Sequence, residues 1–338
     1  MTAGDVLEVI RPGVLTTVQD LGRPGYLADG IPPSGAFDSR ALKLANLLVG
    51  NETGDYLLVG RDPGAAGLEM VLRGPALRVL RGTVIAVTGA DLPTTVNGAP
   101  VPGWTAVPVR AGDEIAFGTA RDGVRGYLAV AGGIDVPPVL GSRATNVRAG
   151  IGGVEGRALK AGDRLPCGPT ASLTALAGRR IRADRIPGRP RPAELRVVLG
   201  PQDHLFTPDS VQEFLTADWH LSPTSDRMGC RFIGPALHFL PRPEYLVHQA
   251  GSDPSNIVDD SICVGSIQVP SGLEPIVMGV DGPSLGGYAK IATVISPDLS
   301  RLAQVRPGEL VRFRAVGPDE AHDLHVTARA AVTEANLE

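Results

Sequence analysis

The sequence predicts a mainly β protein with a few short helices, divided into two modules. Its 338 residues exceed the usual span of one hydrophobic core, so two domains are expected. Forty-three glycines and thirty prolines are spread along the chain, which indicates many tight turns between short strands. Apolar, β-branched runs between these turns supply the strand candidates, which are residues 83–87, 126–131, 195–199, 262–269, 275–280, 291–295 and 310–313.

Four helices are predicted from capping residues followed by apolar residues at helical spacing. Side chains with a hydroxyl or carboxylate accept hydrogen bonds from the first free amides of a helix, and proline suits the first helical position. The predicted starts are Asp38 or Ser39, Thr207 with Pro208, Ser296 with Pro297, and Pro318. The residues after the last helix look dispensable.

A turn with glycine at its fourth position and an acid at its fifth recurs at residues 109–117, 159–167 and 305–313. Such units are typical of strands that enter a closed barrel, because glycine accepts a positive φ and the acid can bind neighbouring amides. The Arg/Pro-rich segment 179–192 has too few apolar residues for a core. We therefore place the boundary near residue 190, between an N-terminal β module (1–190) and a C-terminal barrel module (191–338).

Composition and missing motifs exclude several classes of protein. A net charge of -4 and a pI near 5.9 give no electrostatic footprint for nucleic acid or an anionic membrane. No lysine follows a glycine, so a P-loop is excluded, and the spacing of the three cysteines and six histidines fits no metal site. With no secretory signal pattern and no run of 18 apolar residues, a cytoplasmic protein is expected.

Residues 282–286 match the GxSxG pattern of a hydrolase nucleophile elbow. That elbow requires a helix immediately after the serine. Here a β-branched strand follows at residues 291–295, so the serine-hydrolase interpretation is disfavoured.

The segment 262–295 carries the strongest candidate site, because polar residues stand near the ends of its two apolar strands. Alternation along a strand places Tyr288 and Lys290 on one side. Lys290 is one of three lysines against twenty-nine arginines, so its compact ammonium suits chemistry that guanidinium cannot perform. The candidates in this segment are Gln268, Asp281, Ser284, Tyr288 and Lys290.

Two other turns carry opposite charges, Asp20 with Arg23 and Asp226 with Arg227. One interpretation is structural, with Asx turns and ion pairs. The alternative interpretation is functional: a turn with adjacent opposite charges is costly to bury without partners, so it is expected to line a cleft. It predicts that Asp226 and Arg227 line the same cleft as Lys290, and that Asp20 and Arg23 approach it from the first half.

The ordered motifs TVQDLGRPGY, PPSGAFD, LANLLVGN, GYLAVAGGID, GPQDH, SDRMG, GSIQVP and GGYAKIATVI resemble the allophanate hydrolase subunit 2 family. That family includes the C subunit of bacterial 5-oxoprolinase and the biotin-dependent carboxyltransferase domain of urea carboxylase. The resemblance covers residues 9–313 and implies paired cyclophilin-like β-barrel modules. Ala289 stands where relatives often have Pro and Leu285 where they commonly have Thr, which leaves the role of the Ser284 hydroxyl open.

The resemblance implies an ATP-dependent amide or lactam hydrolase that opens 5-oxoproline to glutamate as part of a complex. Its expected partners are an allophanate hydrolase subunit 1 homologue, similar to the B subunit of 5-oxoprolinase, and the A subunit of that enzyme; ATP acts through the complex. Residue type gives the roles: cations stabilise a developing negative charge and acids orient water. The predicted catalytic residues are Asp20, Arg23, Asp226, Arg227 and Lys290; the predicted substrate-binding residues are Ser34, Gln268, Asp281, Ser284 and Tyr288.

Two alternatives remain open. One is carboxyl transfer to urea or a related amide from carboxybiotin held by a partner. The other is a regulatory binding module, since relatives antagonise a kinase inhibitor.

Overall fold

The computed structural model describes residues 4–56, 61–170, 172–242 and 244–338. The chain forms two compact units. Unit 1 contains the described residues of Met1–Gly25, Pro33–Gly188 and Ala331–Glu338, and unit 2 contains those of Tyr26–Pro32 and Arg189–Ala330. Among the described residues, no helix combines the length and apolar character that a membrane crossing requires.

The described residues of unit 1 form two larger antiparallel sheets, a short hairpin and one α-helix. Its elements are β1 (Gly4–Arg11), β2 (Leu15–Gln19), α1 (Ser39–Leu48), β3 (Asp55–Tyr56), β4 (Arg61–Asp62), β5 (Gly67–Val71), β6 (Ala76–Val79), β7 (Thr83–Asp91), β8 (Thr94–Val96), β9 (Ala99–Val101), β10 (Ala106–Val109), β11 (Glu114–Phe117), β12 (Asp122–Val130) and β13 (Arg164–Cys167). The sheet orders are β13-β1-β6-β11-β8-β9 and β10-β7-β12-β5-β2, with β3 and β4 forming a separate hairpin. Leu7 and Ile115 from the first sheet share one core with Leu68 and Leu128 from the second.

Unit 2 is built on a closed seven-stranded barrel of order β14-β21-β18-β19-β16-β15-β22. Its elements are β14 (Ala193–Leu199), α2 (Pro208–Thr216), β15 (Trp219–Leu221), β16 (Gly229–Ile233), α3 (Glu244–Ala250), β17 (Asn256–Ser261), β18 (Ser266–Gln268), β19 (Ile276–Met278), β20 (Leu285–Tyr288), β21 (Lys290–Val294), α4 (Ser296–Leu302), β22 (Leu310–Ala315) and α5 (Pro318–Ala330). A two-stranded ribbon, β17 and β20, stands apart from the barrel sheet.

Buried aromatic rings fill part of the unit 2 core. Phe313 stacks on Phe214 with ring centroids 4.5 Å apart, and Phe232 meets it edge-on at 5.5 Å. The buried Trp219 donates its indole N–H to the carbonyl of Phe214, which satisfies the polar end of the ring. Strand β22 supplies Phe313 and helix α2 supplies Phe214, so this cluster joins the helix to the barrel wall.

The acidic turns form the same structure three times. In each, the acid accepts a hydrogen bond from the backbone N–H three residues earlier: Asp113 from Arg110, Asp163 from Lys160, and Glu309 from Arg306. Each turn glycine has a positive φ, of 94° at Gly112, 89° at Gly162 and 82° at Gly308. The glycine N–H groups bind the carbonyls of Val79, Val9 and Leu221, so each turn is fastened to a neighbouring strand.

The mainly β fold with short helices and a barrel is confirmed. Asp38 caps α1 by accepting from the Ala41 amide at 3.0 Å, and Thr207 caps α2 by accepting from the Ser210 amide at 3.2 Å. Two features differ from expectation. Helix α3 was not predicted, and the described strands of unit 1 form two sheets whereas those of unit 2 close into a barrel.

The chain end was expected to be dispensable, and this was wrong. Residues 331–338 belong to unit 1, where Ile181 and Leu337 form an antiparallel bridge. The amide of Arg182 donates to the carbonyl of Asn336, and Asn336 is buried. The tail therefore adds backbone pairing and packing to unit 1.

Candidate functional site

Lys290 is the buried centre of a polar cluster in unit 2. It begins β21 opposite Gln268 of β18, where the pairing register shifts. Its ammonium donates to Asp260 Oδ2 at 2.6 Å and to the carbonyl of Ser261 at 3.1 Å. The Lys290 side chain is 2% exposed, whereas that of Asp260 is 41% exposed. The cation therefore lies directly beneath a carboxylate that water can reach.

Gln202 holds both members of this pair. Its side-chain Oε1 accepts from the backbone N–H of Lys290 at 3.1 Å, and its Nε2 donates to Asp260 Oδ2 at 3.1 Å. Its own backbone N–H donates to the carbonyl of Lys290. The hydrogen bond from Lys290, and then that from Gln202, hold the pKa of Asp260 below its usual value. Asp260 is consequently an ionised hydrogen-bond acceptor and a poor general base at neutral pH.

Gln268 and Tyr288 lie beside this cluster but in different environments. Gln268 is buried, and its Nε2 approaches the carbonyl of Tyr288 at 3.5 Å. A Cβ at Gly286 would lie 2.7 Å from the same Nε2, so this glycine lets the ribbon approach the amide closely. Tyr288 ends β20, Lys290 begins β21, and the tyrosine side chain is 40% exposed. The strand is interrupted at Ala289, so the alternation argument does not extend from Tyr288 to Lys290, and a common orientation of the two side chains stays a prediction.

Arg227 and Asp281 form a second charged cluster in unit 2. Arg227 Nε donates to Asp281 Oδ2 at 2.6 Å and Nη2 donates to Oδ1 at 3.2 Å. Both side chains are 9% exposed, so this is a largely buried bidentate pair. Asp226 is exposed, and its Oδ1 accepts from the amides of Met228 and Gly229 at 2.8 and 3.1 Å. Asp226 therefore shapes the turn that presents Arg227.

Ser284 is buried, and its carbonyl accepts from the amide of Ile262. Strand β20 begins at the next residue, Leu285, so no helix follows the serine. This geometry agrees with the sequence argument against a nucleophile elbow.

The two charged clusters start from different rows of the barrel. Gly229, at the start of β16, pairs with Met278, while Lys290 pairs with Gln268, which in turn pairs with Ile276. The two rows meet β19 at Met278 and at Ile276, which are two residues apart. Arg227 lies just before Gly229 and so belongs to the row of Met278. The structure thus groups Lys290 with Gln268 and Arg227 with Asp281. A cleft that includes both groups stays a prediction.

The unit 1 candidates fasten loops to one another. The buried Asp20 accepts from the Gly22 amide, the Ser142 hydroxyl and the Arg143 amide at 2.7, 2.7 and 2.6 Å. Burial raises the pKa of Asp20 above its usual value, although the bonds from Ser142, Arg143 and Gly22 act in the opposite direction. Arg23, 1% exposed, donates to the carbonyl of Ala144. These contacts make the structural role of Asp20 and Arg23 evident and leave their catalytic role a prediction.

Ser34 belongs to the same set of loops. It has a φ of 55°, is buried, and accepts from Asn146 Nδ2 at 3.2 Å. The adjacent Gly35 has a φ of 88°, and a Cβ there would lie 2.7 Å from the amide nitrogen of Gly22. The serine is thus held where two loop backbones approach closely, and substrate binding by Ser34 stays a prediction.

Sequence reasoning missed Asp260 and Gln202. Gln202 lies in the GPQDH motif, but no local pattern links it to a lysine 88 positions later. Asp260 lies in the ribbon strand β17, and only the pairing of β17 with β20 brings it to Lys290. Among the described residues, no group of three or more His, Cys, Asp or Glu side chains is arranged to hold a metal ion.

The family description "Carboxyltransferase domain, subdomain A and B" matches residues 29–315. The chain belongs to this carboxyltransferase-domain family. Among curated relatives, the C subunit of 5-oxoprolinase from Escherichia coli (strain K12) is 38% identical over 325 residues, which cover 94% of this chain and 93% of the relative. Urea amidolyase of Lachancea kluyveri is 35% identical over 336 residues, which cover 96% of this chain but 18% of that enzyme.

Solved structures of this carboxyltransferase family share the fold. The K. lactis urea amidolyase matches all of this chain with a TM-score of 0.88 and 31% identity, and the Kluyveromyces lactis urea carboxylase does so with a TM-score of 0.84 and 31% identity. The chain spans 21% and 31% of those two proteins. The chain therefore matches nearly the whole of the 5-oxoprolinase C subunit and one portion of each of the two larger polypeptides.

Proposed function

We propose that this chain is a subunit of an ATP-dependent amide or lactam hydrolase, which opens 5-oxoproline to glutamate together with partner subunits. One observation carries the proposal: the similarity to the 5-oxoprolinase C subunit extends over 94% of this chain and 93% of the relative. The match to urea amidolyase covers 96% of this chain but only 18% of that enzyme.

The Lys290 cluster supplies the chemistry that such a reaction needs. An amide is a weak electrophile, and negative charge develops on its oxygen as the carbon is attacked. A fixed, buried hydrogen-bond donor stabilises such charge without reorganising during the reaction. Lys290 meets this requirement, because Asp260 and Gln202 hold its ammonium and backbone in place.

Arg227 is the second candidate donor in this proposal. Its bidentate contact with Asp281 fixes the plane of the guanidinium. Asp281 serves here as an orienting carboxylate, and Asp226 keeps the turn in shape through the amides of Met228 and Gly229. Gln268, beside Lys290, offers an amide that can bind the substrate's lactam group.

ATP is assigned to one of the partner proteins. ATP supplies the phosphoryl group that activates an amide oxygen, and its phosphates need cations or amide-rich loops. In unit 2, the Lys290 ammonium is already balanced by Asp260 and the Arg227 guanidinium by Asp281. Neither cluster therefore fits a triphosphate, and no step involving ATP is derived for this chain.

Carboxyl transfer to urea or a related amide is the second candidate. It is favoured by the family description and by the match of the whole chain to urea amidolyase and urea carboxylase structures. In that case carboxybiotin would be carried by a partner, and the Lys290 ammonium would bind a carbonyl oxygen of the acceptor amide.

Co-purification and assay of the assembly distinguish the two candidates. The chain is co-expressed with the proteins of neighbouring genes that are homologous to allophanate hydrolase subunit 1 and to the 5-oxoprolinase A subunit. The proteins that co-purify with it are identified by mass spectrometry. We expect ATP-dependent release of glutamate from 5-oxoproline by the complex and none by the isolated chain. Bicarbonate-dependent carboxylation of urea by an assembly containing a biotin carrier, without glutamate release, would replace the proposed function with the second candidate.

A further inference from the structure

We propose that Asp260 and Gln202 are positioning residues that adapt the Lys290 ammonium to a neutral amide carbonyl, and that a substrate carboxylate is bound elsewhere. This inference deepens the proposed function and rests on it. It assigns to the cluster a substrate class, the uncharged lactam or amide group, and it assigns roles to two residues that the sequence did not single out.

The charge of the cluster is already balanced. Asp260 Oδ2 accepts from Lys290 Nζ at 2.6 Å and from Gln202 Nε2 at 3.1 Å, while Oδ1 accepts from the backbone amide of Ser261 at 2.8 Å. The lysine and the aspartate together carry no net charge. A second carboxylate that approached Lys290 would therefore be repelled by Asp260, whereas a carbonyl dipole would not be.

One donor of the ammonium is left for a ligand. An ammonium has three N–H groups. The described contacts of Lys290 use two of them, toward Asp260 and the carbonyl of Ser261. A carbonyl oxygen is a suitable acceptor for the third, and a hydrogen bond from a charged donor is stronger than one from a neutral donor.

Gln202 fixes the direction of that remaining donor. It binds both backbone groups of Lys290, through its Oε1 and its own amide N–H, and it also binds the carboxylate of Asp260. The lysine is thus fixed at its backbone and at its Nζ. Loss of the Gln202 side chain would leave the charge balance and the backbone bond to the Lys290 carbonyl intact, and it would remove the side-chain bonds to the Lys290 amide and to Asp260.

The ribbon leaves the carboxylate accessible. Gly286 of β20 is the backbone partner of Asp260, and Gly287 follows it, so this part of the strand carries no side chain. The Asp260 side chain is accordingly 41% exposed. A ligand that reaches the ion pair meets Asp260 first, which makes this carboxylate the group that discriminates between neutral and anionic ligands.

The test measures binding rather than turnover. The reconstituted complex is titrated by NMR with 2-pyrrolidinone, a neutral lactam, and separately with acetate, a carboxylate. The proteins are the wild type and the variants Lys290→Met, Asp260→Asn and Gln202→Ala. The matched control is Glu274→Gln, which breaks another partly exposed ion pair in unit 2, that with Arg231 at 2.9 Å.

The wild type is expected to bind 2-pyrrolidinone more tightly than acetate. Lys290→Met should lose at least about tenfold in lactam affinity, equivalent to 1.4 kcal/mol. Asp260→Asn should shift the ratio of affinities about tenfold toward acetate, and Gln202→Ala should weaken lactam binding without improving acetate binding. The control should change neither affinity.

Preference of the wild type for acetate, absence of lactam binding, or equal changes for both probes in Asp260→Asn would overturn the inference. If Asp260→Asn does not fold, Gln202→Ala serves as the test: weaker lactam binding with unchanged acetate binding supports the inference, and equal changes for both probes overturn it. Failure of the proposed function is distinguishable: the complex would bind 2-pyrrolidinone as expected and release no glutamate from 5-oxoproline.

Discussion

Replacement of Lys290 by methionine removes the ammonium and keeps an unbranched side chain of similar length. The change deletes the hydrogen bonds to Asp260 Oδ2 at 2.6 Å and to the carbonyl of Ser261 at 3.1 Å. If the proposed role is correct, activity and stability should respond by very different amounts. Lys290→Arg is the companion variant, because it keeps the charge but places a larger, planar group in a site that is 2% exposed.

The loss of stability is limited by the exposure of Asp260. A hydrogen bond to a charged group contributes about 1.5–3 kcal/mol. The Asp260 side chain is 41% exposed, so water replaces much of the lost contact, and we expect a total cost of about 1–3 kcal/mol. At roughly 2–4 °C per kcal/mol for a unit of this size, the melting temperature should fall by about 2–12 °C.

The loss of activity should be larger. Removal of one donor to a developing oxyanion costs about 10²–10³ in kcat, or roughly 2.7–4 kcal/mol. Glutamate release by the reconstituted complex is measured well below the melting temperatures of all variants, and assembly of the complex is checked by co-purification. Near-normal turnover in both Lys290→Met and Lys290→Arg would refute the role and leave Lys290 a structural member of a partly exposed ion pair.

Three further predictions concern the surrounding charges. Asp281→Asn should cost about 3–5 kcal/mol in urea unfolding, because it removes the carboxylate from a 9% exposed Arg227, whereas Asp218→Asn in an exposed ion pair should change little. Asp20→Asn should cost about 1–3 kcal/mol in the same assay, because the new amide donors face the N–H and hydroxyl donors that the carboxylate accepted. The pKa of Asp260 is lower in the folded state, so its stabilising contribution is present at pH 7 and is lost as pH falls from about 3.9 through the folded pKa. The difference in unfolding free energy between wild type and Asp260→Asn should accordingly disappear at low pH; a difference that persists there would contradict this assignment.

Features that depend on neighbouring residues were predictable from the sequence. The acidic turns could be identified because the acid and the amide that it accepts from are three residues apart, and the glycine between them needs a positive φ. The caps of α1 and α2 were predictable for the same reason, since Asp38 and Thr207 each bind an amide three residues later. Sequence signals of this kind need no tertiary contact.

The partners of the candidate site depend on long-range pairing and were not predictable. Lys290 and Asp260 are 30 residues apart, and the β17–β20 ribbon that brings Asp260 near has a register shift between Asn256 and Asp260. The register shift between Ile267 and Gln268 also changes which residue faces Lys290. A period-two pattern cannot include such a shift. The alternation that placed Tyr288 and Lys290 on one side does not apply either, because the strand is interrupted between them at Ala289.

For Asp20 and Arg23, the sequence located the motif but could not determine its role. A buried acid and a buried arginine in a glycine-rich turn can serve catalysis or hold loops together, and the sequence does not separate these roles. In the structure Asp20 accepts hydrogen bonds from the Ser142 hydroxyl and the Arg143 amide, and Arg23 donates to the carbonyl of Ala144, more than a hundred residues along the chain.

Omission and add-back of this chain test the central claim most directly. The remaining subunits of the purified assembly are assayed for ATP-dependent glutamate release from 5-oxoproline, first alone and then after addition of wild-type chain, Lys290→Met or Glu274→Gln. The account predicts no release without the chain, full recovery with wild type and Glu274→Gln, and recovery about 10²–10³ lower with a bound Lys290→Met chain. Full activity of the remaining subunits alone, or full recovery with Lys290→Met, would contradict it.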